Sequence, residues 1–179
     1  RWTALPIGQK IYVEGNEKDF PRADYSVNVR YKNVKDVWVR EIGYGVYGTP
    51  AVDVENIYFG DDKGMFHCYS LKKGKEVWAY QTGERIVSTP MIAEGKEVFG
   101  SCDRNVYCLD IKTGKWIWRK RTDNAVMGSP MIKDGVVYIG ASDGKFRALR
   151  LDDGELVWSF DEVGNYQESR PVIADGKVI

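Results

Sequence analysis

The sequence predicts an all-β protein that repeats one four-stranded antiparallel sheet about every 40 residues. Trp78, Trp118 and Trp158 are spaced 40 residues apart, and Trp38 lies one period upstream. A fixed period of this length is typical of repeat architectures. No segment shows a sustained apolar period of about 3.6 residues with capping residues at its ends, so helices should be nearly absent.

Each repeat contains four short segments with the composition of β-strands. The first follows a proline, as Met91 and Ile92 follow Pro90, and the second is an apolar run such as residues 136–139. The third, such as residues 106–109, comes after an Asp- or Gly-rich turn, and the fourth carries the tryptophan. Short strands at about ten-residue spacing, bounded by turn residues, predict an antiparallel meander.

The apolar middle strands decide how the sheets are arranged. The second and third strands of each repeat are almost wholly apolar, which means that both of their faces are covered. One four-stranded sheet cannot cover both of its own faces, so neighbouring sheets must stack on each side. We therefore predict a β-propeller of four-stranded antiparallel blades, present as a partial ring.

The predicted organisation of the chain follows the repeat. Residues 43–168 should form three blades, and residues 169–179 should begin a further, truncated blade. Residues 1–42 form either a diverged blade or the tail of a preceding domain. We expect the sequence to be a fragment of a longer polypeptide because it stops within a predicted strand. A partial ring leaves two aromatic-rich flanks uncovered, so the fragment should pair with itself or with its missing blades.

Charge and composition argue against two classes of protein. The chain has 26 basic and 26 acidic side chains, so its formal net charge is zero. Nucleic-acid binding is not expected, because a binding surface for phosphates needs an excess of basic residues. No membrane span is expected in this chain, because no apolar run approaches the roughly 18 residues that a transmembrane helix needs.

The three cysteines do not indicate a disulfide framework. Cys68 and Cys108 occupy the same repeat position, where the third repeat has Ala148, which indicates a small buried side chain. Cys102 lies close to Cys108 across a predicted hairpin, so a local disulfide between these two remains open.

Residues 108–118 resemble the repeat motif of the pyrroloquinoline-quinone (PQQ) propeller superfamily. That motif runs Ala-x-Asp-x-x-Thr-Gly-x-x-x-Trp, and this stretch departs from it only in having Cys108 for the alanine. In the superfamily the aspartate and threonine tie the turn together, and the tryptophan stacks on the corresponding turn of a neighbouring blade. The resemblance implies a structural, blade-docking role for Gly74, Trp78, Asp110, Thr113, Gly114, Trp118, Gly154 and Trp158.

The resemblance implies more about fold than about function. Similar proteins include quinoprotein dehydrogenases, a lipoprotein that assists outer-membrane protein assembly, and sensor domains. We expect a non-catalytic module, periplasmic or extracellular, that binds a protein or glycan. One alternative is part of a PQQ- and calcium-dependent quinoprotein dehydrogenase, and another is a ligand-sensing domain of a signalling protein. Such dehydrogenases hold PQQ with an adjacent pair of disulfide-bonded cysteines. This chain has no such pair, so no cofactor is evident.

Metal-binding and catalytic constellations are not predicted. The acidic segments at residues 61–64, 102–105 and 142–144 fall in one equivalent turn of each repeat, where Asp, Asn and Gly are expected. They lack the spacing of a calcium loop. His67 is the only histidine; its repeat mates are Tyr107 and Arg147, which predicts a solvent-exposed strand residue.

The candidate binding site is a loop rim on one face of the propeller. The loops that leave the fourth strands and the turns between second and third strands should open on the same face, and loops on a rigid scaffold often carry binding groups. The repeat pattern is broken there by a one-residue insertion before Pro171, which brings a polar and aromatic cluster. The candidate residues are Tyr44, Tyr47, Glu84, Arg85, Asp123, Asn124, Tyr166, Gln167, Glu168 and Arg170.

Overall fold

The computed structural model describes residues 38–161, 166–167 and 169–179. In these ranges the chain contains strands and turns and no helix. The prediction that residues 1–42 form a diverged blade or a domain tail falls mainly on residues outside this description. Among the described residues, no helix is long and apolar enough to span a membrane.

Three four-stranded antiparallel sheets form the body of the structure. In each sheet the strands lie side by side in chain order, which confirms the predicted all-β propeller fold. Blade 1 contains β1 (Ala51–Val52), β2 (Asn56–Gly60), β3 (Met65–Ser70) and β4 (Glu76–Gln81). Blade 2 contains β5 (Met91–Ala93), β6 (Lys96–Ser101), β7 (Asn105–Asp110) and β8 (Trp116–Arg121). Blade 3 contains β9 (Met131–Lys133), β10 (Val136–Gly140), β11 (Lys145–Arg150) and β12 (Leu156–Asp161). A two-stranded sheet, β13 (Ile173–Ala174) and β14 (Lys177–Val178), follows.

A β-bulge recurs in the outermost strand of each blade. It interrupts the pairing of the third and fourth strands just before the tryptophan. The bulge sets each tryptophan opposite a small side chain, which leaves room for the indole ring. The three pairs are Trp78 with Cys68, Trp118 with Cys108, and Trp158 with Ala148.

The cysteines are buried packing residues. Cys68, Cys102 and Cys108 are all free thiols, so the disulfide between Cys102 and Cys108 that the sequence left open does not form. Burial raises the pKa of the Cys68 and Cys108 thiols to about 12. These two side chains therefore act as small apolar groups rather than as nucleophiles.

Trp78 and Trp118 each pack on a turn of the following blade, whereas Trp158, predicted to have the same docking role, is 40% exposed. The Trp118 indole nitrogen donates a hydrogen bond to the Leu151 carbonyl at 2.7 Å, and the ring is 5% exposed. The ring lies so close to Gly154 that a Cβ there would come within 2.7 Å of it. Gly154 also has a positive φ of 72°, so both the close approach and the backbone conformation require glycine. The same contacts join Trp38 to Leu71 and Gly74, and Trp78 to Ile111 and Gly114.

The turn that receives the indole is held together by side chains. In blade 2, the Thr113 amide and hydroxyl both donate to Asp110 Oδ1, at 2.8 and 2.7 Å. These bonds, above all the one from the Thr113 hydroxyl, lower the pKa of Asp110. In blade 3 the bonds between Arg150 and Asp153 close the same turn. Two different side-chain pairs therefore serve one turn geometry.

Apolar side chains fill the interfaces between blades. Phe66 of blade 1 stacks on Phe99 of blade 2 with ring centroids 4.0 Å apart, and Tyr107 continues the stack at 5.5 Å from Phe99. The interface between blades 2 and 3 is mainly aliphatic and includes Val98, Val106, Val126, Val137, Ile139 and Leu149. Full burial of each large apolar side chain contributes about 1.5–3 kcal/mol, so these interfaces are the main source of stability.

Glu97 is an exception within the apolar interior. Its side chain is fully buried in β6, and neither carboxyl oxygen has a hydrogen-bond partner. Blades 1 and 3 carry Ile57 and Val137 at the equivalent position. Burial, together with the nearby charge of Asp53, raises the pKa of Glu97 to about 9. The folded protein therefore keeps this carboxyl protonated at neutral pH.

Replacing Trp118 with alanine should lower the free energy of unfolding by about 3–5 kcal/mol, because the substitution removes a buried ring and its hydrogen bond. Urea unfolding followed by circular dichroism measures the change. Trp116 is the matched control: it lies two residues away on β8 and is 62% exposed, so Trp116→Ala should change stability by less than about 0.5 kcal/mol. Equal effects of the two substitutions would contradict the docking role of Trp118.

Glu97→Val introduces the residue that blade 3 has at the equivalent position, Val137. The substitution should stabilise the protein increasingly as pH rises. The unfolded carboxyl ionises near pH 4.5 and the folded one near pH 9. Between these values only the folded state holds the proton, so wild-type stability falls with pH by up to about 1.4 kcal/mol per unit. Below pH 4.5 this loss is absent.

Urea unfolding of the Glu97 variants at pH 5, 7 and 8.5 separates ionisation from polarity. Glu97→Gln should remove the fall of stability with pH but retain a buried unpaired amide, so it should be less stable than Glu97→Val at each pH. Parallel pH profiles for wild type and Glu97→Val would refute the assignment.

Candidate functional site

The loops of the predicted rim are hydrogen-bonded to the turns beside them. Each loop that enters a blade accepts a hydrogen bond from the turn between that blade's second and third strands. The Cys102 amide donates to the Arg85 carbonyl at 3.0 Å, and the Ser142 amide donates to the Ala125 carbonyl at 2.9 Å. The Asp62 amide bonds the Gly45 carbonyl at 2.9 Å in the same way. The candidate residues on these loops are therefore brought to one face.

Aspartates of the turns hold the loops in place. In blade 2, Asp103 Oδ2 accepts hydrogen bonds from the Gly83 amide at 2.8 Å and from the Tyr107 hydroxyl at 2.6 Å. In blade 3, Asp143 Oδ2 accepts from the Asp123 amide at 3.1 Å and pairs with Arg147. Burial raises the pKa of both carboxyls, but these hydrogen bonds outweigh it and the pKa of each is lowered. The acidic turns thus have the structural role predicted for them.

In blade 1, His67 takes the repeat position that Tyr107 has in blade 2 and Arg147 has in blade 3. The prediction of a solvent-exposed histidine is wrong, because this side chain is buried. Its Nε2 lies 3.3 Å from Asp61 Oδ2, and its Nδ1 lies 3.1 Å from Glu76 Oε2. The ring also stacks on Phe59 at a centroid distance of 5.0 Å. Repeat position alone did not reveal that the polar groups at 67, 107 and 147 are each bonded to a turn aspartate.

Several candidate residues extend from the rim into solvent. Tyr47 is 69% exposed, and Tyr44 is exposed with the Lys63 ammonium 5.6 Å from its ring centroid. Asp123 pairs with Lys145 at 3.2 Å, and the Asn124 side chain bonds the Ser142 carbonyl at 3.4 Å. Glu84, Arg85 and Gln167 are exposed, and Glu168 lies outside the described residues.

Arg170 lies at the inner end of the rim, where the first strands of successive blades approach one another. The Thr49 amide donates to the Thr89 hydroxyl at 3.0 Å, and the Thr89 amide donates to the Ser129 hydroxyl at 3.0 Å. The Ser129 amide continues the series to the Ser169 carbonyl at 2.9 Å. Arg170 is exposed, and its Nη2 lies 3.8 Å from the sulfur of Met91 in blade 2. Its guanidinium therefore reaches across the inner strands.

Tyr166 is a packing residue rather than a free rim side chain. It is partly buried, and its ring centroid lies 5.7 Å from that of Phe146. A Cβ on Gly140 would come within 2.4 Å of the Tyr166 Cβ, so the two residues are in close contact. Ile86 packs on Gly60 and Val126 packs on Gly100 in the same way. The 40-residue spacing of residues 86, 126 and 166 is the signal that could have identified this role.

The described residues do not provide the ligands that PQQ and calcium require. The three thiols are free and buried, and no two of them are adjacent in the sequence. In the described ranges, no group of three or more histidine, cysteine or acidic side chains could hold a metal ion. No catalytic step through such a cofactor can be assigned to these residues.

The blade geometry and the tryptophan contacts define a β-propeller of PQQ-like repeats. A family model described as outer membrane protein assembly factor BamB matches residues 23–107 and 82–179, so the chain belongs to this family. No curated protein matches the sequence significantly.

Solved structures show the same fold at low sequence identity. BamB from Moraxella catarrhalis is 20% identical with a TM-score of 0.67; the match covers 77% of this chain and 47% of that one. The quinohemoprotein alcohol dehydrogenase from Comamonas testosteroni is 24% identical with a TM-score of 0.59, over 65% of this chain and 21% of the enzyme. The computationally designed protein Ika4 is 15% identical with a TM-score of 0.70, over 81% and 90% of the two chains. The match thus spans about half the length of BamB and a fifth of the dehydrogenase.

Tyr166→Ala should lower the free energy of unfolding by about 2 kcal/mol, because it opens a cavity over Gly140 at a partly buried site. Tyr166→Val should cost less, since Val126 fills the equivalent space in blade 2. Thermal and urea unfolding measure both changes. Gln167→Ala provides the matched control at an exposed neighbour, where little change is expected. Equal stability of wild type and Tyr166→Ala would contradict the packing role.

Proposed function

We propose that this protein is a non-catalytic scaffolding module of the cell envelope that binds a partner protein through the loop rim. Membership in a family described as an outer membrane protein assembly factor supports a role in protein association. The exposed Tyr44, Tyr47 and Arg170 support the choice of surface, because tyrosine and arginine are enriched among residues that dominate binding energy.

The hydrogen bonding of the rim loops to the neighbouring turns is the observation that carries the proposal. These loops are bonded to the turns beside them, so they need little ordering when a partner binds. Binding then loses less conformational entropy than binding by flexible loops would. A protein is favoured over a glycan because the family description refers to protein assembly. We place the module outside the cytoplasm on the same ground.

The second candidate function is part of a quinoprotein dehydrogenase. Structural similarity to the quinohemoprotein alcohol dehydrogenase favours it, although the match covers 21% of that enzyme. Adding PQQ and calcium to the protein, and following cofactor absorbance and dye reduction with alcohols, tests this role directly. We expect neither signal. Reduction of the dye would replace the scaffolding proposal with the enzymatic one.

Site-specific photo-crosslinking in cells tests the scaffolding role. A photoreactive residue at Tyr47 should crosslink to a protein, and Arg170→Ala should reduce the yield several-fold. Val54 is the matched control: it is 96% exposed and lies in the turn between β1 and β2, away from the rim. Equal yields of the same product at Tyr47 and Val54 would overturn the assignment of the rim as the contact surface.

A further inference from the structure

The outermost strand of blade 2 has an uncommon surface for a sheet edge. β8 is the edge strand of its sheet, and the described residues supply no backbone hydrogen bonds on its outer side. Its side chains combine two exposed apolar residues, Trp116 and Ile117, with the basic residues Arg119, Lys120 and Arg121. Of the three outermost strands described, β8 is thus the one that is both basic and aromatic.

Charge differs sharply between the outer edges of the three blades. The turns before β4 and β8 contribute lysines, whereas the region around β12 is acidic at Asp152, Asp153, Glu155 and Asp161. None of the basic side chains along the edges of blades 1 and 2 forms a salt bridge with an acidic side chain of the described residues. These basic residues are Lys72, Lys73, Lys75, Lys112, Lys115, Arg119, Lys120 and Arg121.

We propose that the outer edge of β8 binds an extended acidic segment of a partner protein, which adds to blade 2 as a fifth strand. An added strand satisfies both the amides and the carbonyls of the open edge, and side chains set its specificity. Acidic side chains of the incoming strand match the basic residues at 119–121, and Trp116 and Ile117 contact its apolar side chains.

The basic residues of this edge also disfavour its pairing with unrelated strands. Lysine and arginine on an edge strand repel other basic edges and keep apolar strands away. An acidic strand meets no such repulsion and gains charge complementarity. The bulge at Ile117 limits regular pairing to residues 118–121, so ionic contacts must supplement a short run of backbone hydrogen bonds.

A synthetic peptide of alternating glutamate and valine, eight residues long, is the probe. It should bind the wild-type chain in calorimetry, bind more weakly as salt is raised, and protect the outward-facing amides of Arg119 and Arg121 from hydrogen exchange. The same peptide with lysine in place of glutamate should not bind. Arg119→Glu combined with Arg121→Glu should weaken binding at least about tenfold, a loss typical of paired charges at an interface.

Matched variants separate this edge from other surfaces. Lys133→Glu reverses an exposed charge in blade 3 and should leave peptide affinity unchanged, as should Tyr47→Ala on the rim. Circular dichroism verifies that each variant is folded. Unchanged affinity in the double arginine variant, or binding without added protection of the Arg119 and Arg121 amides, would overturn the proposal. The proposal would also be overturned if the acidic peptide did not bind and the protein bound instead to vesicles containing phosphatidylglycerol, with the same dependence on the two arginines.

Discussion

The contact between an outermost indole and a glycine of the next blade is the interaction on which the rest of the structure depends. It combines burial of a large ring, a hydrogen bond from the indole nitrogen, and a turn whose positive φ and close approach exclude any other residue. Because it recurs in every blade pair described, each sheet is set at a similar position on its neighbour. That regular stacking brings equivalent loops to one face and equivalent edge strands to the circumference.

The stacked blades share one backbone geometry, although the side chains at equivalent repeat positions differ. At one repeat position, His67, Tyr107 and Arg147 differ in chemistry, yet each meets an aspartate of the adjoining turn. At another, Ile86, Val126 and Tyr166 differ in size, yet each packs on a glycine of the second strand. The fold tolerates these different side chains because backbone hydrogen bonds and the indole contacts hold the blades together. Surface properties can then differ from blade to blade, as they do on the rim and along the outer edges.

The sequence was most informative where one physical requirement repeats. Strand order, the near absence of helix and the position of the tryptophans on outermost strands all followed from the period and from apolar runs. It was least informative where burial depends on contacts distant in sequence. His67 was expected in solvent and is buried between two carboxylates. The repeat mates of Glu97, Ile57 and Val137, indicate a buried position, but the sequence does not show that its carboxyl lacks a hydrogen-bond partner there. The insertion before Pro171 concealed that Tyr166 keeps the repeat spacing.

By itself, the sequence determined that this chain builds stacked four-stranded sheets, because the spacing of tryptophan, glycine and apolar runs is a local property of each repeat. Only the tertiary structure decided which carbonyl and glycine each indole meets, which polar groups are paired, and which rim residues are free to bind. Those outcomes depend on distances between residues 20 to 40 positions apart, and such distances are set by the twist and stacking of whole sheets.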